Sequence, residues 1–273
     1  VVFGGSGFLG SHVCDKLSDY GHRVCVFDMK PSPFLRDDQG MIQGDILDED
    51  AVNSAVAGCD VVYNFAGQAD LDGASTDPVL TARMNVLGNM HIMQAAVRHQ
   101  VKQYIYASTI YVYSDSGGFY RCSKQASEIF LEEYRRGYGL RYTMLRYGTL
   151  YGPRADARNA IYRYIKSALE NSEILLEGSG QEIREYIHVR DAAKISAKVL
   201  APDYYDKRFV ITGHQAIPVN QMLEMIREIL RKPIDIRPRE DKKDSHHYKI
   251  TPYSFAPKIG EKFAPDIFTD MGQ

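Results

Sequence analysis

The sequence predicts an α/β protein with a doubly wound parallel sheet and a smaller C-terminal lobe. Three observations lead to this. A glycine-rich turn directly follows the apolar run at residues 1–3. Short apolar runs then alternate with helical patterns, which is the βα rhythm of a parallel sheet. Beyond Tyr147 the rhythm changes, so we expect a second, smaller lobe there.

The turn after the first strand has glycines at a spacing of three, at Gly4, Gly7 and Gly10. Such a turn lets the backbone approach a pyrophosphate. The helix that follows, starting near Phe8 and Leu9, offers unpaired N–H groups and a positive dipole end to that anion. Taken alone the pattern is weak, because glycine-rich turns also serve purely structural purposes.

A second buried strand, Arg23 to Phe27, ends at Asp28. A carboxylate at this place can accept hydrogen bonds from both hydroxyls of an adenosine ribose, and it would repel a 2′-phosphate. We therefore expect NAD rather than NADP as cofactor, although Lys30 could in principle hold a 2′-phosphate.

The later elements follow from the same patterns. Strands are expected at 41–43, 61–65, 103–107, 142–146 and 184–188, and at 209–211 in a return to the main sheet. Helices are expected at about 77–99, 120–136, 160–169 and 219–230. The dinucleotide domain would comprise residues 1–147 plus about 189–212, and the second lobe about 148–188 plus 213–273.

Bulk composition narrows the class of protein. The chain has 273 residues, a formal net charge of −2 and 44% hydrophobic residues, which is typical of a soluble globular protein and gives no sign of a nucleic-acid partner. No apolar stretch approaches the roughly 20 residues that span a bilayer. Four scattered cysteines suit reduced thiols in a cytoplasmic protein. His246 and His247 lack a third ligand, so no metal site is expected.

Tyr120 and Lys124 lie four residues apart on a predicted helix and therefore share a face. A nearby ammonium favours the phenolate, and bound NAD⁺ would add positive charge. A phenol whose pKa is ordinarily about 10 could then act as a base near neutrality. The chain has a second pair at this spacing, Tyr162 and Lys166.

Context favours the first pair. Tyr120 follows the fifth strand, whose carboxyl end should deliver Ser108 and Thr109 to the cofactor crevice. Tyr162 comes later, in the predicted second lobe.

In chain order these motifs resemble an extended short-chain dehydrogenase/reductase, and within that group the NAD-dependent epimerase/dehydratase family that acts on nucleotide sugars, with UDP-glucose 4-epimerases as the nearest model. The resemblance is carried by the glycine turn, Asp28, Gly44-Asp45-Ile46, Ala66-Gly67-Gln68, Asn85, Ser108-Thr109, 120–124, Leu145-Arg146-Tyr147, Tyr151-Gly152-Pro153-Arg154 and 184–191.

The resemblance implies a Rossmann-like fold and a role for each matching residue. Tyr120 would be the base, Lys124 would hold the nicotinamide ribose, and Thr109 would hydrogen-bond the reacting sugar oxygen. Further cofactor contacts are implied for Asp45 and Ile46 at the adenine, for Phe65, Ala66 and Gly67, and for Asn85, which would bind near the nicotinamide or brace the strand ends.

On the substrate side, the resemblance implies contacts from Ser108, Thr149 and Arg154. It implies a diphosphate clamp by Arg184, for which the plain alternative is a surface ion pair with Glu185. We expect His188 to be packed rather than reactive. The resemblance also implies a homodimer formed by the helices at about 77–99 and 120–136.

The choice of reaction depends on the residues after Thr109. A 4,6-dehydratase of the family normally has Asp-Glu there and a decarboxylase has a Glu in this stretch, whereas this chain has Ile110 and Tyr111. The resemblance therefore favours epimerisation through a 4-keto sugar. The alternatives are a keto-sugar reductase, a dehydratase or decarboxylase using acids such as Asp70, Asp72 or Asp115, or a non-catalytic NAD-binding regulator.

Three departures from the family pattern limit the substrate assignment. Gly148-Thr149 stands where relatives often have Phe-Asn, and only ten residues separate Thr109 from Tyr120, so the flap over the sugar should be short. No second diphosphate arginine is evident in the tail, where Arg237, Arg239 and Lys249 are unranked candidates.

Overall fold

The computed structural model describes residues 1–176 and 178–238. Its strands are β1 Val2–Phe3, β2 Val24–Asp28, β3 Gln39–Gln43, β4 Val61–Asn64, β5 Gln103–Thr109, β6 Tyr142–Tyr147, β7 Thr149–Tyr151, β8 Glu173–Leu176, β9 Ile183–His188, β10 Lys207–Ile211, β11 Ala216–Pro218 and β12 Asp235–Pro238. Its helices are α1 Phe8–Asp19, α2 Glu49–Val56, α3 Leu71–Thr76, α4 Pro78–Ala82, α5 Gly88–Arg98, α6 Gly118–Tyr138, α7 Ala160–Asn171, α8 Val189–Lys198 and α9 Val219–Leu230.

The main sheet has seven parallel strands in the order β10-β6-β5-β4-β1-β2-β3. The order reverses between β1 and β4, which is the switch point where ligands bind in doubly wound folds. The predicted Rossmann-like α/β class is therefore confirmed. So is the return of residues 209–211 to the sheet, because β10 pairs with β6 in parallel.

Two apolar cores cover the two faces of this sheet. One buries residues of α2, α5 and α6 against β4, β5 and β6. The other buries residues of α1 and α8 against the opposite face. The short apolar runs of the strands are buried on both sides, as expected for parallel strands between two helical layers.

The helix expected at about 77–99 is broken into pieces. A π-helical turn, Arg83–Leu87, lies between α4 and α5. The backbone here approaches the second βα unit closely, since a Cβ at Gly88 would lie 2.6 Å from Ile46 Cδ1. The wider turn places Asn85 inward, where it is 2% exposed. Single π turns inside helices are frequent at functional sites.

Beyond β6 the chain builds smaller units. Strands β7, β9 and β11 form one sheet, and β8 pairs with β12. Their apolar residues join α7 and α9 in a third core. The domain limits expected from the sequence stay a prediction, and residues 239–273 of the predicted lobe lie outside the described residues, together with Arg239, Lys249, His246 and His247.

Within residues 1–176 and 178–238, none of the helices combines the length and apolar character needed to cross a membrane. The same part of the chain contains no cluster of three or more His, Cys, Asp or Glu side chains suited to a metal ion. All four cysteines are free thiols.

Candidate active site

The glycine turn lies at the switch point, and close approaches fix its sequence. Gly4 has φ +75°, and a Cβ there would lie 2.6 Å from Ala66 N, at the end of β4. A Cβ on Gly10 would lie 2.2 Å from Gly4 O. Since backbone atoms surround both positions, only glycine closes the turn against β4 and α1. The first N–H groups of α1, at Phe8 and Leu9, are then available to an anion.

Asp28 ends β2 beside this turn. Its carboxylate accepts hydrogen bonds from Ser6 N at 3.1 Å and from Lys30 N at 3.3 Å. The half-buried carboxylate is thereby oriented next to the place where a pyrophosphate would meet α1. The glycine cradle and this carboxylate fit the diphosphate and the adenosine ribose of NAD.

The two residues expected to contact adenine, Asp45 and Ile46, have other contacts in the structure. Asp45 accepts a hydrogen bond from Leu47 N at 2.9 Å and so shapes the turn after β3. The Ile46 side chain is 3% exposed and packs in the core, while its carbonyl oxygen hydrogen-bonds to His91 Nδ1 at 3.0 Å. The contact of these two residues with adenine stays a prediction.

Helix α6 lies along the end of β5 and holds the predicted catalytic residues there. The Tyr120 and Thr109 side chains are neighbours, close enough for the Thr109 hydroxyl to lower the pKa of Tyr120. One helical turn later, Lys124 Nζ donates to Ala107 O at 2.8 Å and lies 5.9 Å from the centre of the Tyr120 ring. Tyr120, Lys124 and Thr109 therefore lie together at the end of β5, and their catalytic roles stay a prediction.

Burial dominates the titration of these groups in the protein without cofactor. It raises the pKa of Tyr120 to about 12, against the lowering effect of the neighbouring Thr109 hydroxyl. Burial likewise lowers the pKa of Lys124 to about 8, while the nearby Glu128 carboxylate raises it. The lowered phenol pKa expected from the sequence is therefore absent from the chain alone. It requires positive charge brought by a bound cofactor.

Ser108 does not point where the sequence predicted. Strand β5 continues to Thr109, so Ser108 and Thr109 face opposite sides of the sheet. Ser108 Oγ donates to Glu128 Oε1 at 2.6 Å and is 4% exposed. Its hydroxyl is thus taken up by α6, which is a correction to its expected substrate contact.

Asn85 acts as a brace, one of the two roles expected for it. Its Oδ1 accepts from Gln68 N at 2.7 Å, and its Nδ2 donates to Gln68 O at 2.9 Å and to Ser123 Oγ at 2.8 Å. A Cβ on Gly67 would lie 2.4 Å from Asn85 Oδ1. The amide therefore ties the loop after β4, Ala66 to Gln68, to the helix turn between Tyr120 and Lys124. Phe65 begins this loop, with its ring stacked on Tyr63 at 5.9 Å.

Arg154 is engaged on the cofactor side of the molecule. It has φ 67°, pairs with Asp15 of α1 at 2.7 Å and lies 4.5 Å from the centre of the Phe34 ring. These contacts join the loop after β7 to α1 through Nη2, while Nη1 is buried without a hydrogen-bond partner. The predicted substrate contact of Arg154 stays a prediction. Thr149 pairs with Tyr186 between β7 and β9, and its side chain is half-buried.

Arg184 lies on β9 and is only 7% exposed, as is Glu185. The alternative of an exposed surface ion pair is therefore wrong. Tyr186, on the same face two residues later, interacts electrostatically with both Arg184 and Tyr111. The Tyr111 ring in turn meets the Tyr120 ring edge-on at 6.5 Å.

His188 is half-buried, and its Nδ1 accepts a hydrogen bond from Arg190 N at 3.3 Å at the start of α8. It packs edge-on against Tyr151 at 5.3 Å, as expected for a structural residue. The second Tyr/Lys pair is unlike the first. Tyr162 is 37% exposed, and the Lys166 side chain is 53% exposed and lies 4.0 Å from Glu170.

Sequence reasoning gave no role to Glu128, Arg146 or Tyr113, although Arg146 belongs to the Leu145-Arg146-Tyr147 motif named above. Glu128 and Arg146 form a buried ion pair at 2.5 Å, and Arg146 Nη1 also donates to the Tyr113 hydroxyl. One signal was present: Glu128 follows Lys124 by four residues and so shares the face of Tyr120 and Lys124. The partners on β6 and on the loop after β5 are distant in sequence and gave none.

Comparison with known proteins agrees with this geometry. Residues 1–211 match the model of the NAD dependent epimerase/dehydratase family. A putative UDP-glucose 4-epimerase from Methanocaldococcus jannaschii is 26% identical over 248 residues, 83% of this chain and 81% of that protein. A dTDP-glucose 4,6-dehydratase from Streptomyces antibioticus is 28% identical over 221 residues, 70% of this chain and 65% of that protein.

Among solved structures, a UDP-glucose 4-epimerase from Thermotoga maritima with UDP-glucose is 26% identical, with a TM-score of 0.81 over 95% of this chain and 93% of that chain. The chain is thus similar both to epimerases and to dehydratases of nucleotide sugars.

The burial of Lys124 predicts a measurable cost to stability. Because its pKa falls from 10.5 to about 8 in the folded state, the unfolded chain binds the proton more tightly. The cost, up to about 3 kcal/mol, is complete below pH 8 and disappears as pH rises to the unfolded pKa. Lys124→Met should therefore stabilise the NAD-free protein at pH 7, and the gain should vanish above about pH 10.5.

Urea unfolding across this pH range measures the effect. Lys166→Met, at the exposed pair, is the control and should leave the free energy of unfolding nearly unchanged at every pH. A Lys124→Met gain that is absent at pH 7 or independent of pH would contradict the buried ammonium.

Proposed function

The chain belongs to the NAD-dependent epimerase/dehydratase family, and we propose that it is a nucleotide-sugar epimerase that inverts C4 of an NDP-hexose through a transient 4-keto sugar. The observation that carries this is the convergence of Tyr120, Thr109 and Lys124 at the end of β5, next to the glycine turn. It provides one proton-transferring group at one carbon. The two residues after Thr109, Ile110 and Tyr111, add no carboxylate.

NAD is the cofactor of this family. The glycine cradle would hold its diphosphate, Asp28 its adenosine ribose and Lys124 its nicotinamide ribose. When bound, it supplies the acceptor and donor of hydride for the oxidation and reduction of the sugar.

The chain's own residues handle the proton. Tyr120 Oη takes it from the C4 hydroxyl as the ketone forms and returns it when the alcohol is regenerated. Thr109 hydrogen-bonds the same oxygen and stabilises the phenolate. The Lys124 ammonium beside the phenol favours the same anion, and the Glu128 carboxylate favours that ammonium.

Two of the three acids that could support a dehydratase, Asp70 and Asp115, have other environments. The Asp70 carboxylate accepts from Gly73 N at 2.8 Å and caps α3. The Asp115 side chain is 96% exposed and lies 3.4 Å from Arg121. The expectation that a dehydratase would need a carboxylate beside Thr109 therefore favours an epimerase for this chain.

Replacing Tyr120 by Phe tests the base. Tyr120→Phe removes only the hydroxyl, so NAD should stay bound while turnover falls by about 100-fold or more. The measurement is absorbance at the reduced-nicotinamide band after addition of UDP-glucose and other UDP-, GDP-, CDP- and dTDP-sugars. The wild type should show a rise that the variant lacks, with Tyr162→Phe as the unaffected control.

A flat absorbance in the wild type with every sugar would contradict the proposed epimerase and favour a binding protein. Stoichiometric consumption of added NADH would instead identify a keto-sugar reductase. Full activity of Tyr120→Phe would move the base to another residue.

We propose that Arg184 clamps the nucleotide diphosphate, because a planar guanidinium forms paired hydrogen bonds to phosphate that an ammonium cannot reproduce. Arg184→Lys keeps the charge and should raise KM for the nucleotide sugar about tenfold with little change in kcat. Steady-state kinetics measure this effect. The control is Arg190→Lys, at an exposed arginine six residues away. An unchanged KM would remove Arg184 from the substrate site.

We also propose that two copies of the chain associate through α4, the π turn and α6. Exposed apolar side chains follow this surface: Val79 71%, Leu80 41%, Leu87 42%, Phe119 51%, Ile129 61% and Phe130 38% exposed. On α6, Phe119 and Phe130 are eleven residues apart and share a face, with Ile129 beside Phe130. Exposed apolar side chains gathered on neighbouring helices are typical of an interface.

Ile129→Glu should therefore convert a dimer into a monomer in light scattering coupled to gel filtration. Ile229→Glu, at a residue 75% exposed on α9, is the matched control and should leave the dimer intact. A monomeric wild type would contradict this proposal.

The cytoplasmic location expected from the cysteines stays a prediction.

A further inference from the structure

Helix α6 meets β5 through three side chains in three successive turns. Tyr120, Lys124 and Glu128 are spaced by four residues and lie on one face. They meet the last residues of the strand: Tyr120 neighbours Thr109, Lys124 Nζ donates to Ala107 O, and Glu128 accepts from Ser108 Oγ. The first two contacts belong to the site described above. The third lies beneath it, and the chemistry of the sugar does not require it.

Arg146 completes this third contact. It lies on β6 directly opposite Ser108 in the strand register. Its Nε donates to Glu128 Oε1 at 2.9 Å and its Nη2 to Oε2 at 2.5 Å, a two-pronged pairing. Glu128 is 6% exposed, and the Arg146 side chain is 12% exposed. One carboxylate thus joins β5, β6 and α6 at a single point.

The remaining arm of Arg146 reaches the loop. Nη1 donates to the Tyr113 hydroxyl, and the guanidinium lies 4.6 Å from the centre of the Tyr113 ring. Tyr113 ends the 3₁₀ turn Ile110–Tyr113 that follows Thr109. The same turn carries Tyr111, whose ring contacts that of Tyr120. The ion pair is therefore connected to the catalytic phenol through the helix, the strand and the loop.

Stability alone does not account for charges at this position. Desolvation of a buried ion pair offsets most of its Coulomb attraction, and apolar replacements of similar size are often neutral or stabilising. An apolar pair would lack directional contacts. The hydrogen bonds between the guanidinium and the carboxylate fix the relative position of β5, β6 and α6.

We propose that Glu128 and Arg146 are positioning residues that set the distance between Thr109 and Tyr120 and hold the 110–113 turn in place for the reaction. The proposal rests on the proposed function, because it concerns the geometry of that reaction. It assigns no contact with substrate or cofactor to either residue.

The chain offers a matched control for this pair. Glu132, one turn further along α6, forms an ion pair with Arg208 of β10 at 2.6 Å, with side chains 36% and 37% exposed. This pair has the same residue types as Glu128 and Arg146, and it joins the same helix to a neighbouring strand. It does not contact β5 or the 110–113 turn.

The experiment compares Glu128→Met/Arg146→Met with Glu132→Met/Arg208→Met. Both partners are replaced together, so that no unpaired charge is buried. In the NAD-free proteins, hydrogen exchange of amides 107–113 should speed up about tenfold or more in the first variant only. In turnover, kcat of the first variant should fall about 100-fold, as small misplacements of catalytic groups do. Binding of NAD, measured by fluorescence, should be nearly unchanged.

Tyr113→Phe separates the loop from the helix and remains informative should the double variant fail to fold. It removes one hydroxyl bonded to a charged group, so kcat should fall about tenfold, with faster exchange confined to residues 110–113. Equal exchange and equal kcat in the two double variants, or an unaffected Tyr113→Phe, would overturn the proposal. A wild type without turnover would refute the proposed function, while hydrogen exchange would still test the positioning.

Discussion

The contact between helix α6 and the end of strand β5 is the constraint on which the site depends. A 21-residue helix crosses the carboxyl end of a buried strand and attaches to three consecutive residues, 107–109. Helical spacing of four brings Tyr120, Lys124 and Glu128 to one line, and strand alternation turns Thr109 and Ser108 to opposite sides. The catalytic hydroxyls meet because these two periodicities coincide at one place.

Two further contacts keep this place next to the cofactor cradle. Asn85, presented by the π turn, ties the loop after β4 to α6 at Ser123. Gly4 lets the first turn approach the end of β4, and Gly10 lets α1 approach the backbone of Gly4. The switch point of the sheet, the nicotinamide side and the catalytic helix are thereby held together by backbone geometry and one amide.

This arrangement buries ionisable groups. Without cofactor, burial keeps the Tyr120 phenol protonated and makes the Lys124 ammonium costly. Both effects oppose the charge states that proton transfer needs. A positively charged nicotinamide ring bound nearby would lower the pKa of Tyr120. The Glu128 carboxylate already stabilises the Lys124 ammonium. In the proposed reaction, Tyr120 would therefore act as a base only with the cofactor bound.

The sequence predicted those features that depend on local geometry. The glycine turn, Asp28 and the Tyr120/Lys124 face follow from neighbouring residues, and the sheet class follows from the rhythm of strands and helices. The sequence could not show that the Ser108 hydroxyl is held by Glu128 of α6, because the two residues are brought together only by the packing of the helix on the sheet.

The other features of the site depend on contacts between residues that are distant in the sequence. A charged residue on a short strand gives no sign of its own burial, so Arg184 could be expected at the surface as well as in a pocket. Arg154 meets Asp15 across a separation of 139 residues, and Arg146 meets Glu128 from a different strand. No local pattern specifies such partners. They follow from the strand order, which places β6 beside β5 and the loop after β7 beside α1.

The central claim is that a single phenol, without a helper carboxylate, reacts at one carbon of a nucleotide sugar. NMR of the reaction with UDP-glucose and the other nucleotide sugars in D₂O tests it most directly. Epimerisation at C4 should give a product of inverted C4 configuration with no deuterium on any ring carbon, since hydrogen leaves and returns without reaching solvent. Dehydration must remove the C5 proton, so deuterium at C5 or C6 with loss of the C6 hydroxyl would contradict the account.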